Sequence, residues 1–239
     1  MRSRLAVLAA LAPVALAAQD DLPPPDIAAV PTAPRWAIGM HGLVGAPIGD
    51  FARNVETTWG GGVDARWFLD RRGIVALRGD LALAGYGSRR GSVSLGFLGG
   101  GRATTRNTVA QGTIGLELAV PAGALRPYAT AGIGLGVFST QTSLDDDWRF
   151  QDAADRTRTQ LEDGVMVRTL GGGLRARVSD APGSRLLLDL GVRRAWSGPT
   201  TYATPADVRF GGGGTGVTVA SRRTRTDQWL FTLGFTFTR

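Results

Sequence analysis

From Trp36 onward the apolar positions recur every second residue, the period of a strand with one apolar face, not the 3.6 of an amphipathic helix. The segment ending near Thr238 is clearest: Trp229, Phe231, Leu233, Phe235 and Phe237 share one parity, against Leu230, Thr232, Gly234, Thr236 and Thr238. The same alternation marks seven earlier segments, in which the large apolar face is set by Ile38 and Met40, Val63 and Trp67, Leu77 and Leu81, Ile114 and Leu116, Ile133 and Leu135, Leu170 and Leu174, and Leu188 and Leu190. Leu43 and Leu187 break the pattern, each falling on the otherwise polar parity. The pattern predicts eight strands.

Connection length tells a barrel from a soluble sandwich. Residues 49–59, 87–106, 140–163 and 197–227 form long connections, and 70–73, 121–126 and 180–184 form short ones. The short ones carry turn residues, as in Asp70-Arg71-Arg72-Gly73 and Asp180-Ala181-Pro182-Gly183. Strict alternation of short and long predicts an all-β fold: a transmembrane antiparallel up-and-down β-barrel of eight strands, with short periplasmic turns and long extracellular loops. Aromatic residues fall at both ends of the strands. Trp36, Trp67, Tyr128, Phe235 and Phe237 are expected in a periplasmic girdle, and Trp59, Tyr86, Phe138, Trp196 and Trp229 in an external one.

The stretch 39–51, which includes Gly39, Met40, His41, Gly42, Pro47, Asp50 and Phe51, resembles the first strand and loop of OmpA-type and opacity-type small barrels. Leu233-Gly234-Phe235-Thr236-Phe237 is similar to the aromatic closing strand that barrel-assembly machinery recognises in that superfamily. The likeness spans residues 36–239 and implies an outer-membrane β-barrel domain.

The preceding residues read as an export address. Arg2 and Arg4 lead into an apolar run over residues 5–16 that closes on Ala15-Leu16-Ala17, the plan of a secretory signal peptide over 1–17. That run is too short to cross a bilayer as a helix, which needs about 20 apolar residues. Residues 18–35, with Pro23, Pro24, Pro25, Pro31 and Pro34, are expected to form an extended periplasmic lead.

Charge and candidate chemistry refine the picture. There is no cysteine, so neither disulfides nor thiolate metal sites arise. The formal net charge is +7, every basic residue is arginine, and loss of Arg2 and Arg4 with the leader leaves +5. The arginines are scattered between strands and loops with no aromatic stacking platform, which argues against a nucleic-acid partner. On the inward parity stand Arg66, Arg78, Arg175, Arg177 and Arg193, facing Asp64, Asp80, Glu117 and Asp189. Eight strands leave an interior that side chains can fill, so these charges are expected to form an ionic plug, with an ion pathway as the alternative.

No catalytic, cofactor or metal residue is read from the sequence. His41 is the single histidine, flanked by Gly39 and Gly42 and expected inside the first strand, away from external substrate. Gly132, Gly134 and Gly136 follow strand spacing with no helix to receive a phosphate. Arg89, Arg90, Arg102 and Arg106, in a loop without acids, are candidate contacts for lipopolysaccharide phosphates. The next loop is acidic, with Asp145, Asp146, Asp147, Asp152, Asp155, Glu162 and Asp163, but its spacing does not match a calcium loop.

The expected function is that of a non-enzymatic outer-membrane protein with a structural or surface-interaction role, in adhesion or envelope integrity. A narrow porin-like passage is the second reading, and a lipid- or peptide-modifying enzyme the third. The expected partners are outer-membrane lipid and an extracellular ligand that the sequence does not specify. A closed barrel has no free edge to template assembly, so a monomer is expected.

Overall fold

The computed structural model describes residues 35–94, 100–145, 157–181, 184–210 and 217–238. The leader, nearly all of the proline-rich lead and the tips of three outer loops lie outside the described residues. The strands are β1 (Trp36–Pro47), β2 (Thr58–Phe68), β3 (Val75–Ser94), β4 (Gly100–Ala119), β5 (Leu125–Asp145), β6 (Thr157–Ala181), β7 (Ser184–Ser197), β8 (Pro199–Tyr202), β9 (Val208–Phe210), β10 (Val217–Val219), β11 (Arg222–Arg225) and β12 (Gln228–Thr238). Eight of them close an antiparallel barrel in the order β1-β12-β7-β6-β5-β4-β3-β2. The seam is made by β1, which pairs with β12 on one side and β2 on the other.

The wall is inverted relative to a soluble protein. Leu116 is 53% exposed and Leu135 is 65% exposed, whereas Glu117 is wholly buried. Water would not leave a continuous ring of leucine, isoleucine and phenylalanine outside while burying carboxylates and guanidinium groups. Lipid would, and a closed barrel satisfies every backbone group without water. This wall is that of a transmembrane β-barrel.

The turns at one end are short. Asp70 shapes the first: its carboxylate accepts the backbone N–H of Arg72, Ile74 and Val75 at 3.0, 2.8 and 2.8 Å. Gly73 there takes φ 75°, a left-handed conformation open to glycine without strain. Connections at the other end differ from expectation. β3 continues to Ser94 and β4 begins at Gly100, so most of the expected second loop is a hairpin rising past the apolar band. β5 and β6 likewise run on to Asp145 and from Thr157. The hydrophobic alternation stops where lipid stops, but backbone pairing does not need lipid, and threonine-rich segments continue the ladder. The fourth long connection folds as two nested hairpins, β8 with β11 and β9 with β10.

Candidate functional site

The lumen is filled at two levels. In the half nearer the short turns, Arg66, Arg78 and Arg175 converge on one oxygen of Glu117. Arg66 Nε donates to Glu117 Oε2 at 3.0 Å, Arg78 Nη1 at 3.1 Å and Arg175 Nη2 at 2.7 Å. Asp189 receives Arg66 Nη2 at 3.0 Å, Arg175 Nε at 2.9 Å and the Tyr128 hydroxyl at 2.6 Å. Asp64 lies 2.9 Å from Arg66 Nη2, and Arg193 Nη2 donates to Asp80 at 2.8 Å. Arg175 also stacks over the Tyr128 ring at 4.0 Å. The planar fork of arginine suits this sharing, since Arg66, Arg78 and Arg175 each reach two or more acceptors at once.

Of the nine residues expected in the ionic network, the structure gathers eight. Arg177 is the exception. The register of β6 with β7 runs unbroken from Arg175 opposite Asp189 to Arg177 opposite the buried Leu187 and slips only beyond it, so Arg177 keeps the inward parity but stands two residues nearer the short turns, past the carboxylates of the lumen. The Arg177 side chain is exposed at the rim, donating from Nη2 to the Gly123 carbonyl at 3.2 Å. Without it, four arginines face four carboxylates. Beside them lies a gap of about 20 Å³ lined by Arg78, Thr113, Thr130, Thr169 and Arg193. Such a space holds about one water.

The second level is aromatic and was not anticipated. Phe51 is wholly buried beneath the first outer loop, with its ring 5.3 Å from Tyr202, 6.1 Å from Phe138 and 6.3 Å from Tyr86. Leu43, Val109, Val165, Val167 and Leu230 pack around these rings. Tyr86 and Phe138 therefore do not join the external girdle, nor Tyr128 the periplasmic one: all three point inward. The signal was present, because each falls on the polar parity of its strand. Leu43 breaks the pattern because it belongs to this apolar cap. Trp36, Trp59, Trp67, Phe235 and Phe237 do face outward. Trp196 and Trp229 are half-buried and flank Arg194, whose guanidinium lies 5.1 and 5.7 Å from their rings.

Above the cap, polar contacts pin the outer loops to one another. Arg222 forks onto Asp207 at 2.7–3.0 Å and reaches Asn54 of the first loop at 2.9 Å. This pairing, helped by Thr204, holds the Asp207 carboxyl down to about 2. Asp163 of β6 accepts the Thr201 N–H at 2.6 Å.

Arg89 donates to the carbonyls of Pro205 and Val208 at 2.9 Å each, so it ties β3 to the fourth loop and is not an outer-wall residue. Arg90, Arg102 and Arg106 remain a group. The register pairs Arg90 with Thr104, Ser92 with Arg102 and Ser88 with Arg106, which puts all three arginines on the face opposite Arg89. That face continues down β4 into Ile114, Leu116 and Leu118, the lipid-facing column. Asp146, Asp147, Asp152 and Asp155 of the acidic loop lie outside the described residues.

No protein-family model matches the chain, and no curated protein matches it either. Among solved structures, it is similar to Ail, the attachment invasion locus protein of Yersinia pestis, with 11% identity over 85% of this chain and 99% of that one and a TM-score of 0.43. It is also similar to the N-terminal β-barrel domain of Pseudomonas aeruginosa OprF, with 15% identity over 84% and 96% and a TM-score of 0.32. A major outer membrane protein of Thermus thermophilus aligns with 13% identity over 84% and 98% and a TM-score of 0.37.

Proposed function

We propose that this protein is a non-conducting, non-enzymatic outer-membrane barrel that anchors and presents a pinned external surface in an adhesive or envelope-stabilising role. The observation that carries the reading is the doubly filled lumen: an Arg–carboxylate network below and an aromatic cap above. A protein built to pass solutes has no use for both. Mutually tied loops, by contrast, offer a partner a preorganised surface, which lowers the entropic cost of binding. On this reading the protein works as a monomer, and Arg90, Arg102 and Arg106 meet the phosphates of lipopolysaccharide where the wall leaves the apolar layer.

Planar-bilayer recording of the refolded protein tests the reading. The expected result is no steady conductance. Reproducible openings that disappear in Arg78→Ala or Glu117→Ala would establish the porin-like alternative instead. For the lipid contact, the triple variant of Arg90, Arg102 and Arg106 to glutamine should lose binding to lipopolysaccharide micelles, and unchanged binding would remove that part of the proposal.

A further inference from the structure

His41 stands apart from the ion pairs around it. Its side chain is 5% exposed, and its Nε2 has no hydrogen-bond partner among the described residues. The ring lies between two aspartates. Nδ1 is 3.6 Å from Asp64 Oδ1, and Nε2 is 3.9 Å from Asp80 Oδ2. Both distances are too long for hydrogen bonds. Each ring nitrogen faces one aspartate, and an ion taken by either nitrogen, with its ligands about 2.0–2.2 Å away, would draw the farther carboxylate toward it. One ligand atom from each of His41, Asp64 and Asp80 lies within 4.8 Å of the other two, and since three ligands about 2.1 Å from one ion stand roughly 3.4–3.7 Å apart, closing on a common centre needs movements of up to about an ångström.

We propose that His41, Asp64 and Asp80 form a site for a divalent first-row transition-metal ion inside the barrel. The ligand chemistry selects that class: imidazole with carboxylates suits zinc, manganese, iron or nickel, whereas calcium and magnesium favour all-oxygen sites.

The surroundings are arranged as a supporting shell. Each aspartate has one oxygen paired with its own arginine, Asp64 Oδ2 with Arg66 at 2.9 Å and Asp80 Oδ1 with Arg193 at 2.8 Å. The other oxygen of each is left turned toward His41, and such outer contacts orient metal ligands. Space for the ring comes from Gly62, where a Cβ would stand 2.7 Å from His41 Nε2. The competitor for the metal-facing oxygens is Arg78, held loosely at 3.3 Å from Asp64 Oδ1 and 3.5 Å from Asp80 Oδ2. Displaced by an ion, it has somewhere to go: it already touches Glu117 Oε2 at 3.1 Å, and Glu117 Oε1 is a buried acceptor with no hydrogen-bond partner among the described residues. An ion here would clip β1, β2 and β3 together beside the closing seam.

The test uses untagged full-length barrel, stripped with EDTA and refolded in detergent with and without ZnCl2, since the aromatic cap obstructs loading after folding. The proposal expects one tightly held zinc per chain after desalting, and an unfolding midpoint that rises with zinc and falls back with EDTA. In His41→Gln both effects should vanish. If that variant does not fold, refolding the natural chain with Co2+ decides the matter, because the single histidine makes any nitrogen-ligated cobalt spectrum assignable. Absence of stoichiometric metal in the natural chain, zinc retained equally by His41→Gln, or a cobalt spectrum of oxygen ligands alone would each overturn it.

Discussion

Glu117 is the residue on which most of the interior depends. It is wholly buried, and Arg66, Arg78 and Arg175 all donate to its Oε2. Removing one partner of a buried charge cluster leaves the others uncompensated, at about 3–5 kcal/mol. Glu117→Ala should therefore lower the urea midpoint of the refolded barrel by a matching amount. Arg177→Ala, at an exposed rim position, should cost less than about 1 kcal/mol. Equal losses in the two variants would mean that the pairing seen in the lumen is not what holds it together. Parity along the chain was enough to point Asp64, Arg66, Arg78, Asp80, Glu117, Arg175, Asp189 and Arg193 inward. At Arg177 parity gives the face but not the depth: the residue pairs with Leu187, two residues nearer the short turns than Arg175 with Asp189, and its side chain reaches the rim at Gly123.

At the scale of the strand, one face of β4 carries Ile114, Leu116 and Leu118 toward lipid, and the other carries Thr113 and Glu117 toward the lumen. Leu116→Arg should cost about 2–4 kcal/mol if it lies near the bilayer midplane. Thr113→Arg, beside the small polar gap, should cost less, and denaturant titration of both refolded variants distinguishes the two faces. The strand count was legible because lipid enforces alternation on every crossing. Strand length was not, because β3, β4, β5 and β6 leave the bilayer and continue with threonine, serine and arginine, whose pattern no longer reports which side is wet. Tyr86, Phe138 and Tyr128 teach the complementary lesson. Position along a strand suggested a girdle, whereas parity, applied to the same residues, places them inside.

At the scale of the molecule, the described parts of the first and fourth outer loops are tied into one unit over the cap. Asp207 and Arg222 are its charged clasp, and the Arg222 fork holds the Asp207 carboxyl at about 2. Because that value lies below the ordinary carboxylate range, the clasp contributes in full at neutral pH. Its contribution falls away as pH drops from about 4 toward 2, when protonation empties the fork. Hydrogen exchange over residues 199–210, corrected for intrinsic rates, should lose protection across that window. In Asp207→Asn the segment should already be less protected at pH 7, with a smaller acid-dependent change. By itself, the sequence determined the barrel, its strand number and the inward direction of its charges, since a two-residue period is a local property imposed by lipid on one face. Only the tertiary structure decided which charges meet, that Phe51 and Tyr202 close the mouth, and that His41 lies between Asp64 and Asp80. Those neighbours come from strands and loops far apart in the chain, and barrel closure and register, not spacing, bring them together.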